Sequence, residues 1–187
     1  MRIIVTLIFI GFSIIAITAK SQSYVSSELY GYYNHSKQIK PLCSVYLKSN
    51  IKNKTSFVSY YMLTKTWAEG LIGLNWKLTP WLNAELMFGA ETQPDMWRIS
   101  PCFYIKKGKL NYMGVFEYGA SGFWYLSYMT YKIKPHSTIG ILANRSLGFG
   151  LRYDFTPKKS PISIWTAPIK EWNNDNYGFI LGLSILI

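Results

Sequence analysis

The residue types that could do covalent chemistry are few and thinly spread. Two histidines, His35 and His136, each stand beside a serine, Ser36 and Ser137. A serine nucleophile needs a base in hydrogen-bond reach and a third group to orient that base. Adjacent residues of an extended chain point to opposite sides, so a His-Ser dipeptide is not a natural dyad, and both pairs fall in turn-like segments. Cys43 and Cys102 lie far apart in the pattern, and no set of histidines, cysteines and carboxylates converges as a metal centre requires. No glycine-rich loop stands between a strand and a helix to cradle a phosphate. The sequence predicts no enzyme, no cofactor and no metal site.

A second group of residues is better organised. Glu69, Lys77, Glu85, Glu91, Arg98, Lys106, Glu117, Arg152 and Asp154, with Asn75, occupy the polar positions of alternating runs. Charges set on one face of a closed sheet can line a water-filled path and select ions. In a dry interior they must pair with one another instead, because an unpaired buried charge is costly. Both alternatives are open from the residues alone.

These positions depend on a pattern of period two. Leu147, Phe149, Leu151, Tyr153 and Phe155 alternate with Gly148, Gly150, Arg152 and Asp154. Leu82, Ala84, Leu86, Phe88 and Ala90 alternate with Asn83, Glu85, Met87, Gly89 and Glu91. Trp97, Ile99, Pro101, Phe103 and Ile105 do the same against Arg98, Ser100, Cys102, Tyr104 and Lys106. Such runs are strands with one apolar side. Turn signals at Lys52-Asn53-Lys54, Thr79-Pro80, Lys107-Gly108, Lys134-Pro135 and Pro157-Lys158-Lys159 recur at intervals of roughly 24 to 28 residues, the length of a hairpin of two ten-residue strands with its turns. A second set at 64–66, 92–95, 119–122, 144–146 and 171–175 falls between them. The count is about twelve strands, beginning near 24–33 and ending near 176–187, with ten as the alternative. Residues 1–21 read as a secretory signal peptide: Met1-Arg2, an apolar run from Ile3 to Ile17, then Ala19-Lys20-Ser21 before Gln22. Residues 22–187 form the single remaining domain.

Composition indicates where the apolar side points. Only 16% of the residues are charged, against roughly 25% in soluble domains. Aromatic residues reach 17%, a density suited to the boundary between water and lipid. Bulky Trp76, Trp97, Tyr112, Tyr153 and Phe155 lie near strand ends on the apolar faces, as aromatic girdles require. A lipid-facing sheet must close on itself so that no backbone group is left unpaired in hydrocarbon. The fold class expected is all-β, a closed antiparallel up-and-down transmembrane β-barrel.

The pattern over residues 24–187, including the last strand Tyr177-Gly178-Phe179-Ile180-Leu181-Gly182-Leu183-Ser184-Ile185-Leu186-Ile187, resembles bacterial outer-membrane β-barrels of small porin-like type. Members of that class commonly end in an aromatic residue, whereas this chain ends in Ile187. The resemblance implies placement in the outer membrane, outer-membrane lipids and the barrel-assembly machinery as partners, and both termini in the periplasm. Taking Arg2 and Lys20 from the 20 basic residues leaves 18 against 9 acids, a net charge of +9. For an exported chain this balance points to lipid phosphates or anionic solutes and away from nucleic acid. Two functions follow: a narrow passive channel for small solutes, anions among the candidates, or a closed barrel with a structural or interaction role. Oligomeric state is left open.

Overall fold

The structure is a computed structural model and describes residues 23–33, 39–172 and 175–186. The expected signal peptide, His35 with Ser36, and Ile187 lie outside the described residues. Twelve strands follow in chain order: β1 (Ser23–Tyr33), β2 (Ile39–Lys52), β3 (Thr55–Thr64), β4 (Ala68–Lys77), β5 (Leu82–Glu91), β6 (Trp97–Lys107), β7 (Leu110–Gly119), β8 (Gly122–Lys134), β9 (Ser137–Asn144), β10 (Gly148–Phe155), β11 (Ile162–Lys170) and β12 (Tyr177–Leu186). Each pairs antiparallel with its neighbours in sequence, and β1 pairs with β12 from Ser26↔Leu186 to Tyr33↔Phe179, so the sheet closes into a barrel. The twelve-strand reading holds, and the alternative of ten does not.

One end of the barrel carries the start of β1, the end of β12 and the turns at 53–54, 78–81, 108–109, 135–136 and 156–161. It is called here the terminal end, and the opposite one the far end. Terminal-end turns are tight. Asn53 adopts a left-handed φ of 45° between paired Lys52 and Thr55, a conformation that asparagine tolerates better than most residues. Register shifts at Asn50/Lys52 and Lys132/Lys134 place β-bulges at the same rim.

The alternation resolves into an inside and an outside. Leu29, Leu63, Ile72, Phe88, Ile141, Leu151 and Leu181 face outward and are exposed, Leu151 to 66%. An apolar surface running around the whole circumference far exceeds what a water-soluble monomer presents. Tyr33, Trp97, Tyr118, Phe123, Trp172 and Tyr177 stand exposed near the far end, and Trp81, Tyr131, Tyr153 and Phe155 near the terminal end. This is the lipid-facing band with two aromatic girdles that a membrane barrel needs. Among the described residues no helix is long and apolar enough to cross a membrane; the strands cross it.

Inward positions alternate large with small. Gly178 and Gly182 of β12 face the interior, where an added Cβ would run into the rings of Tyr32 and Trp165, respectively. Replacing Gly182 by Val should therefore push Trp165 off its seat and cost about 1–3 kcal/mol. The urea midpoint of the barrel refolded in vesicles, followed by tryptophan fluorescence, should fall accordingly. An unchanged midpoint would mean that Trp165 does not rest on β12.

Candidate functional site: the barrel interior

Three polar networks and two apolar clusters occupy the interior. The first network lies just inside the far end. Strand alternation on β4, β5, β6 and β7 points Glu69, Glu91, Arg98 and Glu117 inward, and the order of those strands makes them neighbours. Arg98 Nε donates to Glu117 Oε2 at 2.8 Å, and Nη1 donates to Glu91 Oε2 at 2.8 Å and to Ser121 Oγ at 2.6 Å. Glu69 Oε2 lies 3.1 Å from Arg98 Nε as an ion contact. All four side chains are at most 2% exposed. Glu91 also accepts from the Ser121 backbone N–H at 2.7 Å and from Trp67 Nε1 at 3.1 Å, so it pins the β7–β8 turn and the β3–β4 turn to one carboxylate. The Arg98 guanidinium also covers the Trp67 ring at 5.5 Å. Both Glu69 oxygens are buried and accept no hydrogen bond from a described residue. One guanidinium therefore serves three carboxylates, and Glu69 is the least well held.

The second network lies toward the terminal end on the same side of the wall. Glu85 accepts from Tyr46 Oη at 2.5 Å and from Asn75 Nδ2 at 2.8 Å, while Lys48 Nζ donates to Asn75 Oδ1 at 2.7 Å. The third stands opposite. Arg152 Nη2 donates to Asp154 Oδ1 at 2.7 Å and lies 3.6 Å from Glu28 Oε1. Its guanidinium stacks on Trp165 at 4.1 Å and on Tyr128 at 4.7 Å.

Between the barrel mouths the middle is filled. Val58, Leu71, Met87 and Cys102 pack with Tyr46, Tyr60, Tyr104 and Val115 on one side. Leu142, Trp165, Ala167 and Ile180 pack with Tyr30, Leu126 and Tyr128 on the other. Leu71, Val58, Cys102 and Ala167 are fully buried. A cavity of about 860 Å3 opens above this waist at the far end, where Lys40, Lys65, Arg98 and Arg145 share its wall with Trp67 and Trp124. Below it, cavities of about 640 and 490 Å3 open at the terminal end. Lys48, Lys106 and Glu85 line the first, and Lys106, Lys109, Lys132, His136 and Arg152 line the second.

Of the residues picked from the sequence, the fold brings Glu69, Glu91, Arg98 and Glu117 into one cluster and Arg152 with Asp154 into another. Glu85 joins neither: it accepts from Tyr46 and Asn75, and Lys48 reaches Asn75 beside it. Lys106 lines both terminal cavities, and Lys77 stands exposed at the end of β4. Parity puts Tyr104 and Met87 inside as residues that narrow the lumen; sequence reasoning missed Glu28, Ser121, Trp67 and the packing of Tyr30, Tyr46, Tyr60 and Tyr128 about the waist. Parity along β1 could have put Glu28 inside, whereas nothing local signals that Ser121 would turn back to Glu91. His136 lines a terminal cavity, and among the described residues no group of three or more His, Cys, Asp or Glu could hold a metal ion. Cys102 is buried inside and Cys43 is half-buried on β2; both are free thiols.

No protein-family model matches the chain, and comparison with curated proteins gives no match. Solved structures do match. A structure described as the KdgM porin superposes with a TM-score of 0.59 at 9% identity, covering 86% of this chain and 98% of that one. The fold is that of a porin-like barrel. A NanC porin matches at TM-score 0.54 and 11% identity over 85% and 98% of the two chains. A chain from a study of in-meso crystallization of membrane proteins matches at 0.63 and 9% identity, over 88% and 83%. At these identities the likeness is one of fold.

Arg98 is the keystone of its cluster. Arg98→Met should destabilise the barrel by about 3–5 kcal/mol, since it leaves three buried carboxylates without their cation. Glu69→Gln should cost far less, because Glu69 gives up only an ion contact. Urea unfolding of both variants in vesicles checks the order, and a larger loss for Glu69→Gln would contradict it.

Proposed function

We propose that the protein is an outer-membrane barrel acting as a narrow passive channel for small, anionic solutes. Its export by a cleaved leader over residues 1–21, its insertion by the assembly machinery through β12 and a periplasmic position for the terminal end belong to the same reading. The observation that carries it is the pair of water-accessible vestibules, each with several cations in its wall, separated by a short waist made of side chains. The KdgM and NanC neighbours are porins, which supports a channel in general. Among the candidate lumen residues, Lys106 and Arg152 face the terminal vestibule and Lys77 stands at its rim. They would raise the local concentration of anions, while Glu69, Glu91 and Glu117 are held by Arg98, Glu85 by Tyr46 and Asn75, and Asp154 by Arg152, and these networks would hold the wall in shape.

A second reading is favoured by a specific observation. Waist residues on both walls are at or near zero exposure, as in a closed barrel with a structural or interaction role. Single-channel recording in a planar bilayer under a salt gradient separates the two. The channel reading expects small discrete steps with a reversal potential favouring anions. Lys106→Glu should weaken that preference, and Tyr104→Ala, which shortens a waist side chain, should enlarge the steps several-fold. A silent wild type beside a conducting Tyr104→Ala variant would favour the closed barrel, and silence in both would remove the channel.

A further inference from the structure

The terminal rim is a ring of one charge sign. Each of its five turns carries or adjoins an exposed lysine, with Lys54, Lys77, Lys107, Lys134 and Lys158 giving one for each. None of these turns contains an aspartate or glutamate. The nearest acid, Asp154, is held by Arg152 and Thr138. Far-end turns are mixed: Lys40, Lys65, Arg145 and Lys170 stand in or beside them with Asp95, Glu171 and Asp175, and Lys170 pairs with Asp175 at 3.2 Å. A general need for solubility would not sort charge by end in this way.

Apolar structure lies directly beneath the lysines. Trp81, Tyr131, Tyr153 and Phe155 are exposed on the outer wall at that end, the level at which aromatic rings meet the headgroup boundary. Lysine stems lie along such apolar surface while the ammonium reaches outward. Leu110, opposite Lys107 in the register, begins a groove of about 460 Å3 that continues over Met129, Ile139, Ile141 and Leu151. A headgroup bound at the rim would leave its acyl chain over this groove.

We propose that the terminal rim is a docking surface for anionic phospholipid headgroups, which seats that end of the barrel in a negatively charged leaflet. Successive turns are two strands apart, about 10 Å along the rim. Each lysine therefore meets a headgroup of its own, and the ring is not a clamp for one multiply phosphorylated molecule. This inference rests on the reading of the chain as a membrane barrel and is independent of conduction.

Electron spin resonance of spin-labelled lipids tests it, with the protein refolded into phosphatidylcholine vesicles. Spin-labelled phosphatidylglycerol should associate with the barrel at least roughly threefold more strongly than spin-labelled phosphatidylcholine at low salt. The advantage should collapse at high salt. It should also vanish in a variant carrying Lys54→Gln, Lys77→Gln, Lys107→Gln, Lys134→Gln and Lys158→Gln, whose insertion is verified in neutral vesicles by heat-modifiable mobility on gels. Equal association of the two lipids, or a preference that survives high salt, would overturn the lipid inference and leave the barrel standing. So would stronger retention of lipopolysaccharide than of phosphatidylglycerol. Failure of the wild type to insert into any vesicle would overturn the membrane barrel as well.

Discussion

The pairing of β1 with β12 is the contact on which the rest of the molecule depends. Ser26↔Leu186 through Tyr33↔Phe179 join the first strand to the last, and without them the sheet would present two edges. In hydrocarbon an unpaired N–H or C=O has no water to turn to, and each costs several kcal/mol. Closure therefore decides the topology. It fixes which face of every strand is inside, and it makes parity along the sequence a statement about position in space. The same constraint explains why the terminal-end turns are short, since irregular backbone must stay outside the apolar band.

Closure of twelve strands creates an interior that side chains fill less readily than in an eight-stranded barrel. Large rings and compact charge networks fill it here. Tyr30 meets Trp165 edge-on at 5.4 Å, and Arg152 lies over the same indole, so one side of the waist is a stack of apolar and cationic planes. On the other side Leu71 and Val58 separate the Arg98 cluster from the Glu85 cluster. Small residues make this possible: on the inner face of β12 Gly178, Gly182 and Ser184 flank the large side chain of Ile180, and Tyr32 and Trp165 from the neighbouring strands lean into the space over the glycines. The polar groups are arranged by the rule that a buried charge needs a partner. Glu69 departs furthest from it, as it touches only a guanidinium already committed to two other carboxylates.

Much of this was legible in the sequence, and the reasons are physical. Alternation from Leu82 to Glu91 and from Trp97 to Lys106 is unbroken because one side meets lipid and the other does not, so those strands and the inward set Glu85, Glu91, Arg98 and Lys106 could be placed by parity. Turn residues such as Asn53 and Gly108 marked the hairpins, which gave the strand count. What could not be read is how inward residues meet across strands. The distance between Glu28 and Arg152 depends on the curvature of β11 and β12 between them, and the Ser121–Glu91 contact on a turn folding back over the rim. Inward Tyr104 and Met87 pointed to a narrowing, but its extent was hidden, because Tyr60 and Tyr128 have the same polar-face parity in an open lumen as in a packed one.

Side chains narrow the middle of the barrel to a waist too tight for a bulky solute, and the protein carries its own probe of that constriction. Cys102 sits in the waist beside Ser100, fully buried, while Cys43 lies on β2 with its side chain on the outward parity. The decisive measurement is labelling of the folded, bilayer-embedded protein with a bulky, charged, membrane-impermeant thiol reagent, with Cys43 replaced by alanine. Cys102 should not react until the barrel is unfolded, and should react completely afterwards. Rapid labelling of Cys102 in the folded barrel would contradict the packed waist and describe a wide, open lumen.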